Sequence, residues 1–162
     1  MSAPSRDPIA ALVHLYADAV VHHDGVQWGS TWALDAHWDL GQGRRLVGRD
    51  AIVEFWHGAM SRFSAVVQTV LNGTYELDAE TGTGTGRWYI AEHFERVGGE
   101  KGKLLAHYDD AYVLTDDGWR FASRELTVHY GGPQDLSGQF LNAQFAKTQS
   151  GEAPSGEAGS GD

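Results

Sequence analysis

The hydrophobic period of this chain changes once, near residue 64, and that change constrains the fold more than any other feature. Before it, apolar side chains recur at helical spacing: Ile9, Leu12, Val13, Tyr16, Ala19 and Val20, then Ile52, Phe55, Trp56, Ala59 and Phe63. After it, four long segments alternate with period two: "SAVVQTVLNGTYELD", "GTGRWYIAEHFERV", "KLLAHYDDAYVLT" and "GWRFASRELTVHY". Their connections, "AETGTG", "GGEKG" and "DDG", are turn-rich, so the set predicts an antiparallel meander. Helices first and a sheet afterwards predict an α+β domain with segregated layers.

Local signals set the expected boundaries. Asp7 can cap a helix whose first residue is Pro8, and Gly25 reads as its stop. A short second helix is expected over "VQWGSTWA". Two short strands, "AHWDLG" and "RRLVGR", are joined by "GQG", and a third helix, "DAIVEFWHGAMSRF", has Asp50 as its expected cap. Asp24 is the unusual residue here. It lies four after Val20 and eight after Tyr16, beside the buried stripe. An acid at a helix C-terminus is unfavourable by about 0.3–1 kcal/mol, so Asp24 reads either as a turn former before Gly25 or as a carboxylate at the mouth of a pocket.

Length and charge narrow the function. A chain of 162 residues fits one domain. Six Trp, six Tyr and six Phe can furnish a core and an apolar binding cavity. Twenty-two acids against twelve Lys and Arg give a net charge of −10 with no basic stripe, which argues against nucleic acid. The absence of cysteine rules out disulfides and thiol catalysis and fits a reducing cytoplasm. No apolar run reaches the ~18 residues of a membrane span, so a cytoplasmic protein without a membrane partner is expected. Residues 1–7 read as a flexible start, 8–130 as the domain and 131–147 as an extension with one short amphipathic segment. Residues 148–162, "QSGEAPSGEAGSGD" and the preceding Thr, read as a disordered tail.

Signatures for nucleotides and zinc are missing, and "GTGTGR" lies between two strands as a hairpin connection. His22 and His23 are adjacent and no histidine pair has the i, i+4 spacing, so no catalytic metal is expected. Polar residues instead interrupt the strands: Gln68 among Val66, Val70 and Asn72, Glu92 and His93 in "RWYIAEHF", His107 before "YDDAY", and Arg124 after "WRFAS". Each alone reads as a satisfied or solvated side chain. Four neighbouring strands each carrying one point to a shared polar site within an apolar cone.

"LVHLYADAVVHHDGVQWGSTWALDAHWDLG", "GRDAIVEFW", "GRWYIAEHF" and "HYDDAYVLTDDGWRFASREL", in that order, resemble the SnoaL-like branch of the nuclear transport factor 2-like superfamily over about residues 8–130. The resemblance implies a SnoaL-like α+β barrel, a curved, mainly antiparallel sheet around helices with a conical pocket. It also implies proton abstraction, elimination or isomerisation on small apolar molecules without metal or organic cofactor; other members only bind. Set against the family's dehydrochlorinase, the acid after the first helix falls on Asp24 and the last-strand arginine on Arg124. The H-x-x-x-N histidine and asparagine fall on Gln68 and Asn72, and the first-helix lysine on Ala19.

Glutamine cannot take a proton near neutrality, so the base must lie elsewhere. His107 and Asp24 are the two candidates. The expected enzyme is a cofactor-independent lyase or isomerase. Asp24 and His107 share proton transfer in it, and Tyr16, Gln68 and Arg124 orient substrate and stabilise developing charge. Trp32, Trp38, Trp56 and Trp88 wall the pocket beside Glu92 and Asn72, or simply pack the core. The alternative is a non-catalytic small-molecule binding module, for which Gln68 is the best evidence. A small apolar or aromatic ligand and a homodimer or homotrimer are the expected partners.

Overall fold

The computed structural model describes residues 7–141. The expectations for residues 1–6, 142–147 and the tail at 148–162 fall outside the described residues. In chain order the elements are α1 (Pro8–His22), α2 (Gly25–Ser30), β1 (Trp32–Asp39), β2 (Arg45–Val47), α3 (Arg49–Met60), β3 (Phe63–Asp78), β4 (Thr83–Arg96), β5 (Lys101–Thr115) and β6 (Gly118–Gly132).

Asp7 does cap α1, its Oδ1 accepting from the backbone N–H groups of Ile9 and Ala10 at 3.0 and 2.9 Å. Several boundaries differ from the sequence expectation, among them the end of α3 at Met60, which leaves Phe63 to open β3. Helix α1 ends before Gly25, because His23 takes a left-handed conformation (φ 54°) that turns the chain. Asp24 then opens α2, and Gly25 is that helix's first residue. Helix α2 stops at Ser30 because Trp32 pairs with Phe121, drawing Trp32 and Ala33 into β1. At α3 the cap position is Gly48, without a side-chain cap; Asp50 lies in the first turn, facing the positive end of the helix dipole.

The six strands form one sheet in the order β2-β1-β6-β5-β4-β3. Strands β3 to β6 are the expected antiparallel meander, and β1 joins β6 in parallel. The sheet is curved and open, with β2 and β3 at its edges. Register shifts between Val70 and Gly73, Leu105 and Ala106, and Ala111 and Tyr112 supply bends.

Alternation decides which residues face the helices. One inward row runs Trp38 (β1), Arg124 (β6), Asp110 (β5) and Gly86 (β4); the next runs Leu126, Tyr108 and Trp88; another joins Gln68, Glu92 and Leu104. Bulky rings in these rows need small neighbours. A Cβ on Gly73 would lie 2.5 Å from Trp88 Cδ2, and one on Gly86 2.8 Å from the Tyr112 hydroxyl. Leu12, Val13, Tyr16 and Val20 of α1 are buried, as are Ile52 and Trp56 of α3. Trp28 stacks on Trp56 with centroids 4.7 Å apart and packs against Trp32 and Trp38. Burying each large apolar side chain contributes roughly 1.5–3 kcal/mol, so this interior holds the helices on the sheet. No helix among the described residues is long and apolar enough to cross a membrane.

Candidate functional site

The interior of the sheet carries a polar line through its aromatic packing. Arg124 is 1% exposed and Asp110 5%, and they are direct cross-strand partners. Arg124 Nε and Nη2 donate to the two carboxylate oxygens of Asp110 at 2.8 and 3.1 Å. The Tyr112 hydroxyl donates to Asp110 Oδ2 at 3.0 Å and accepts from Trp88 Nε1 at 3.0 Å. Burial pushes the Asp110 carboxyl above the ordinary carboxylate range, against the opposing pull of Arg124. For Arg124, burial acts to lower the pKa, but the Asp110 charge and hydrogen bond, together with Tyr16 and Tyr108, outweigh it, so the guanidinium stays protonated. Its carbon sits 4.3, 3.9 and 4.0 Å from the ring centroids of Tyr16, Tyr108 and Phe121.

A second group lies on β3 and β4. Gln68, 7% exposed, donates through Nε2 to Glu92 Oε1 at 2.6 Å. Burial raises the Glu92 carboxyl above its ordinary value, and the Gln68 hydrogen bond only partly offsets this. The Tyr16 and Tyr108 hydroxyls meet at 3.4 Å. Burial pushes both upward, and the Glu92 charge adds to that push, so both keep their protons at neutral pH.

Of the residues singled out in the sequence, the fold therefore gathers Tyr16, Gln68, Trp88, Glu92 and Arg124 on the inner face, with Trp32, Trp38 and Trp56 packed in the same core. Three others are placed elsewhere. Asp24 is exposed, and its Oδ1 accepts from the backbone N–H groups of Val26 and Gln27 at 3.1 and 2.9 Å as the N-cap of α2. It borders a surface groove of about 750 Å³ with His22, His23, Arg49 and His57. Its carboxylate serves the helix start and does not face Gln68. Asn72 is exposed, sitting in the irregular stretch between Val70 and Gly73.

His107 lies on the opposite face of the sheet. Tyr108 points inward, so strand alternation sends His107 outward. There His107 Nδ1 meets His129 Nε2 at 2.7 Å and His107 Nε2 meets Asp109 Oδ2 at 3.2 Å, while Arg87 Nε donates to Asp109 Oδ1 at 2.6 Å. No group of three or more His, Asp or Glu among the described residues is arranged to hold a metal ion.

Asp110, Tyr108 and Tyr112 are the interior residues that the sequence reading passed over. Their signal was the alternation of "AHYDDAY" itself, in which Ala106, Tyr108, Asp110 and Tyr112 share one face.

The profile of the SnoaL-like domain matches residues 1–125. The chain belongs to this family. Among solved structures, this SnoaL-like chain is similar to a candidate scytalone dehydratase from Novosphingobium aromaticivorans DSM 12444, at 19% identity over 83% of this chain and 89% of that one, with a TM-score of 0.72. It is similar to the hexachlorocyclohexane dehydrochlorinase LinA-type3 from Novosphingobium barchaimii LL02, at 19% identity over 85% and 93%, TM-score 0.71. A candidate aromatic ring hydroxylase from Novosphingobium aromaticivorans is likewise similar, at 22% identity over 81% and 94%, TM-score 0.71. Identities this low establish the shared SnoaL-like and NTF2-like fold. No curated protein matches the chain.

Proposed function

We propose that this SnoaL-like chain is a cofactor-independent lyase or isomerase acting on a small, mostly apolar molecule, with Glu92 as the general base. The observation that carries the reading is the half-buried Glu92 carboxylate on the inner row of β4, held by Gln68 at 2.6 Å and raised in pKa by burial. A base poised above the ordinary carboxylate value transfers protons more effectively near neutrality. Glu92 takes a proton from a carbon beside an electron-withdrawing group, and the C–H electron pair enters a new C=C bond. Tyr16 and Tyr108, both protonated, donate to the charge that develops on the substrate. In an isomerisation the proton returns to a second carbon; in an elimination a neighbouring leaving group departs with the electron pair of its own bond. The names of the solved neighbours include dehydratase, dehydrochlorinase and hydroxylase, so fold similarity alone does not choose the reaction, and the argument rests on Glu92.

Asp24 and His107 do not enter this mechanism, since one caps a helix and the other faces outward. Gln68 becomes a positioning residue for Glu92. Exposed Val67 and Leu71 on β3 give a homodimer or homotrimer an apolar surface to cover.

A binding module of the same fold is the second reading, favoured by Gln68 at the position where the family's dehydrochlorinase has its histidine. The test is turnover and ligand affinity of wild type and Glu92→Gln on a panel of small hydroxy-ketones and hydroxylated aromatics. The enzyme reading expects at least a ~10²-fold loss of rate with binding retained. Unchanged turnover in the variant removes Glu92 from the mechanism. Tight binding without turnover in the wild type establishes the binding module.

A further inference from the structure

The outer face of the sheet holds a histidine pair that the proposed reaction does not use. His107 on β5 points away from the helices, yet it is only 8% exposed. Its cross-strand partner on β4 is Tyr89, with ring centroids 5.4 Å apart. On β6, His129 packs its ring 4.9 Å from that of His107 and stacks on Tyr89 at 21°. The charged groups beside the two rings form one row across the sheet: Arg45, Asp39, Glu125, Asp109 and Arg87. Of these, Asp109 touches His107 and is itself held by Arg87. Burial pulls the Asp109 carboxyl upward, but Arg87 and His107 outweigh it and hold it below its ordinary value.

This geometry restricts where protons can sit. His107 Nδ1 and His129 Nε2 are 2.7 Å apart, so one proton lies between them. With none, two lone pairs would face each other; with two, the N–H groups would collide. His107 Nε2 is 3.2 Å from Asp109 Oδ2, a carboxylate oxygen that can only accept, so that nitrogen is protonated. When both rings are neutral, the shared proton therefore belongs to His129 Nε2, which donates to His107 Nδ1. The hydrogen-bond network thus assigns both tautomers, and His129 Nδ1 is the nitrogen left bare.

We infer that Asp109, His107 and His129 form a one-proton relay and latch on the outer face, which accepts one proton with its hydrogen bonds intact and opens on the second. The first proton binds His129 Nδ1. The His129 Nε2–H bond then breaks as its proton moves to His107 Nδ1, and the positive charge comes to rest on the His107 ring beside the Asp109 carboxylate. The contact between the rings survives with its direction reversed. A second proton has only His129 Nε2 to bind, where it meets the His107 N–H head-on. The rings then separate, and His129 leaves its place against His107 and Tyr89. Burial, followed by His107 and Arg87, disfavours the charged form of His129, in keeping with its being the last to charge. The latch lies on the face opposite Glu92, so it stands or falls independently of the proposed reaction.

Nitrogen-15 NMR of the histidine rings in the full-length wild-type chain reads the protonation of each nitrogen directly. The titration runs from about pH 8 to about pH 4, which brackets the ordinary histidine value. At the alkaline end, Nε2 of both rings is expected to be protonated and Nδ1 of both bare. The first proton should change the two rings at one shared midpoint, with His107 becoming doubly protonated and His129 switching from Nε2–H to Nδ1–H. The second, at lower pH, should make His129 doubly protonated and abolish the Overhauser contacts between the rings. An Nδ1–H tautomer of His129 at the alkaline end, or two rings with independent midpoints, overturns the relay. Contacts that persist with both rings doubly protonated overturn the latch. Asp109→Asn keeps an acceptor for His107 Nε2 and deletes the charge, so it should move the first midpoint to lower pH. An unmoved midpoint removes Asp109 from the relay and overturns the proposal as stated.

Discussion

Gln68 on β3 and Glu92 on β4 are direct cross-strand partners, and the Gln68 amide donates to the Glu92 carboxylate at 2.6 Å inside the sheet. A glutamine there cannot compete for the proton. It can only orient the carboxylate and partly offset the cost of burying it. In the proposed mechanism the base thus sits one strand away from the position where the family resemblance places a histidine.

That arrangement has a cost in stability. The Glu92 pKa is raised in the folded chain by burial, so folding favours the protonated form. Its contribution is most favourable below the unfolded value and is lost as pH rises through the folded value. Glu92→Gln should therefore be more stable than wild type at pH 7, with the difference shrinking towards pH 4. Thermal unfolding of the two proteins across that range checks it, and equal melting temperatures throughout would mean the carboxylate is well solvated.

Asp24 should matter to folding and not to chemistry. Asp24→Ala removes the cap of α2 and is expected to cost about 1 kcal/mol, while Asp24→Ser, which restores an N-cap oxygen, should recover most of it. Turnover on any substrate found for the wild type should persist in Asp24→Ser. A ~10²-fold loss of rate in the capped variant would return Asp24 to the mechanism.

Asp110 and Arg124 are 0% and 1% exposed at their side chains, so breaking one partner strands a buried charge. Asp110→Ala is expected to destabilise the protein by about 3–5 kcal/mol. The double variant Asp110→Leu/Arg124→Met should be distinctly more stable than Asp110→Ala, measured by chemical denaturation. Additive losses would show that the pair is not coupled.

His129 should contribute to acid sensitivity. Burial first, then His107 and Arg87, hold its pKa below 6.5 in the folded chain. A histidine with a depressed pKa favours folding while neutral. Its contribution is present above the unfolded value and declines as pH falls below that value, with no further loss beneath the folded one. Wild-type stability should fall as pH drops below about 6.5, and His129→Gln should show a shallower fall. Parallel pH profiles for the two proteins would dissociate His129 from acid sensitivity.

The sequence by itself determined the elements and their layering. The period change near residue 64 separated helices from meander, and Asp7 with Pro8 marked the first helix start, because both signals depend only on neighbours along the chain. It also marked Gln68, Glu92 and Arg124 as polar residues within apolar strands. Which residues meet was decided by tertiary structure. His107 and Tyr108 are adjacent in sequence, yet a one-residue step sends them to opposite faces, so His107 joins His129 outside while Tyr108 meets Tyr16 within. "HHDG" admits a helix end, a turn or a new helix, and only the placement of α2 made Asp24 its cap. The register of Trp38 against Arg124 depends on a parallel β1–β6 pairing between residues 86 positions apart, a contact that no local pattern encodes and that packing of the whole sheet imposes.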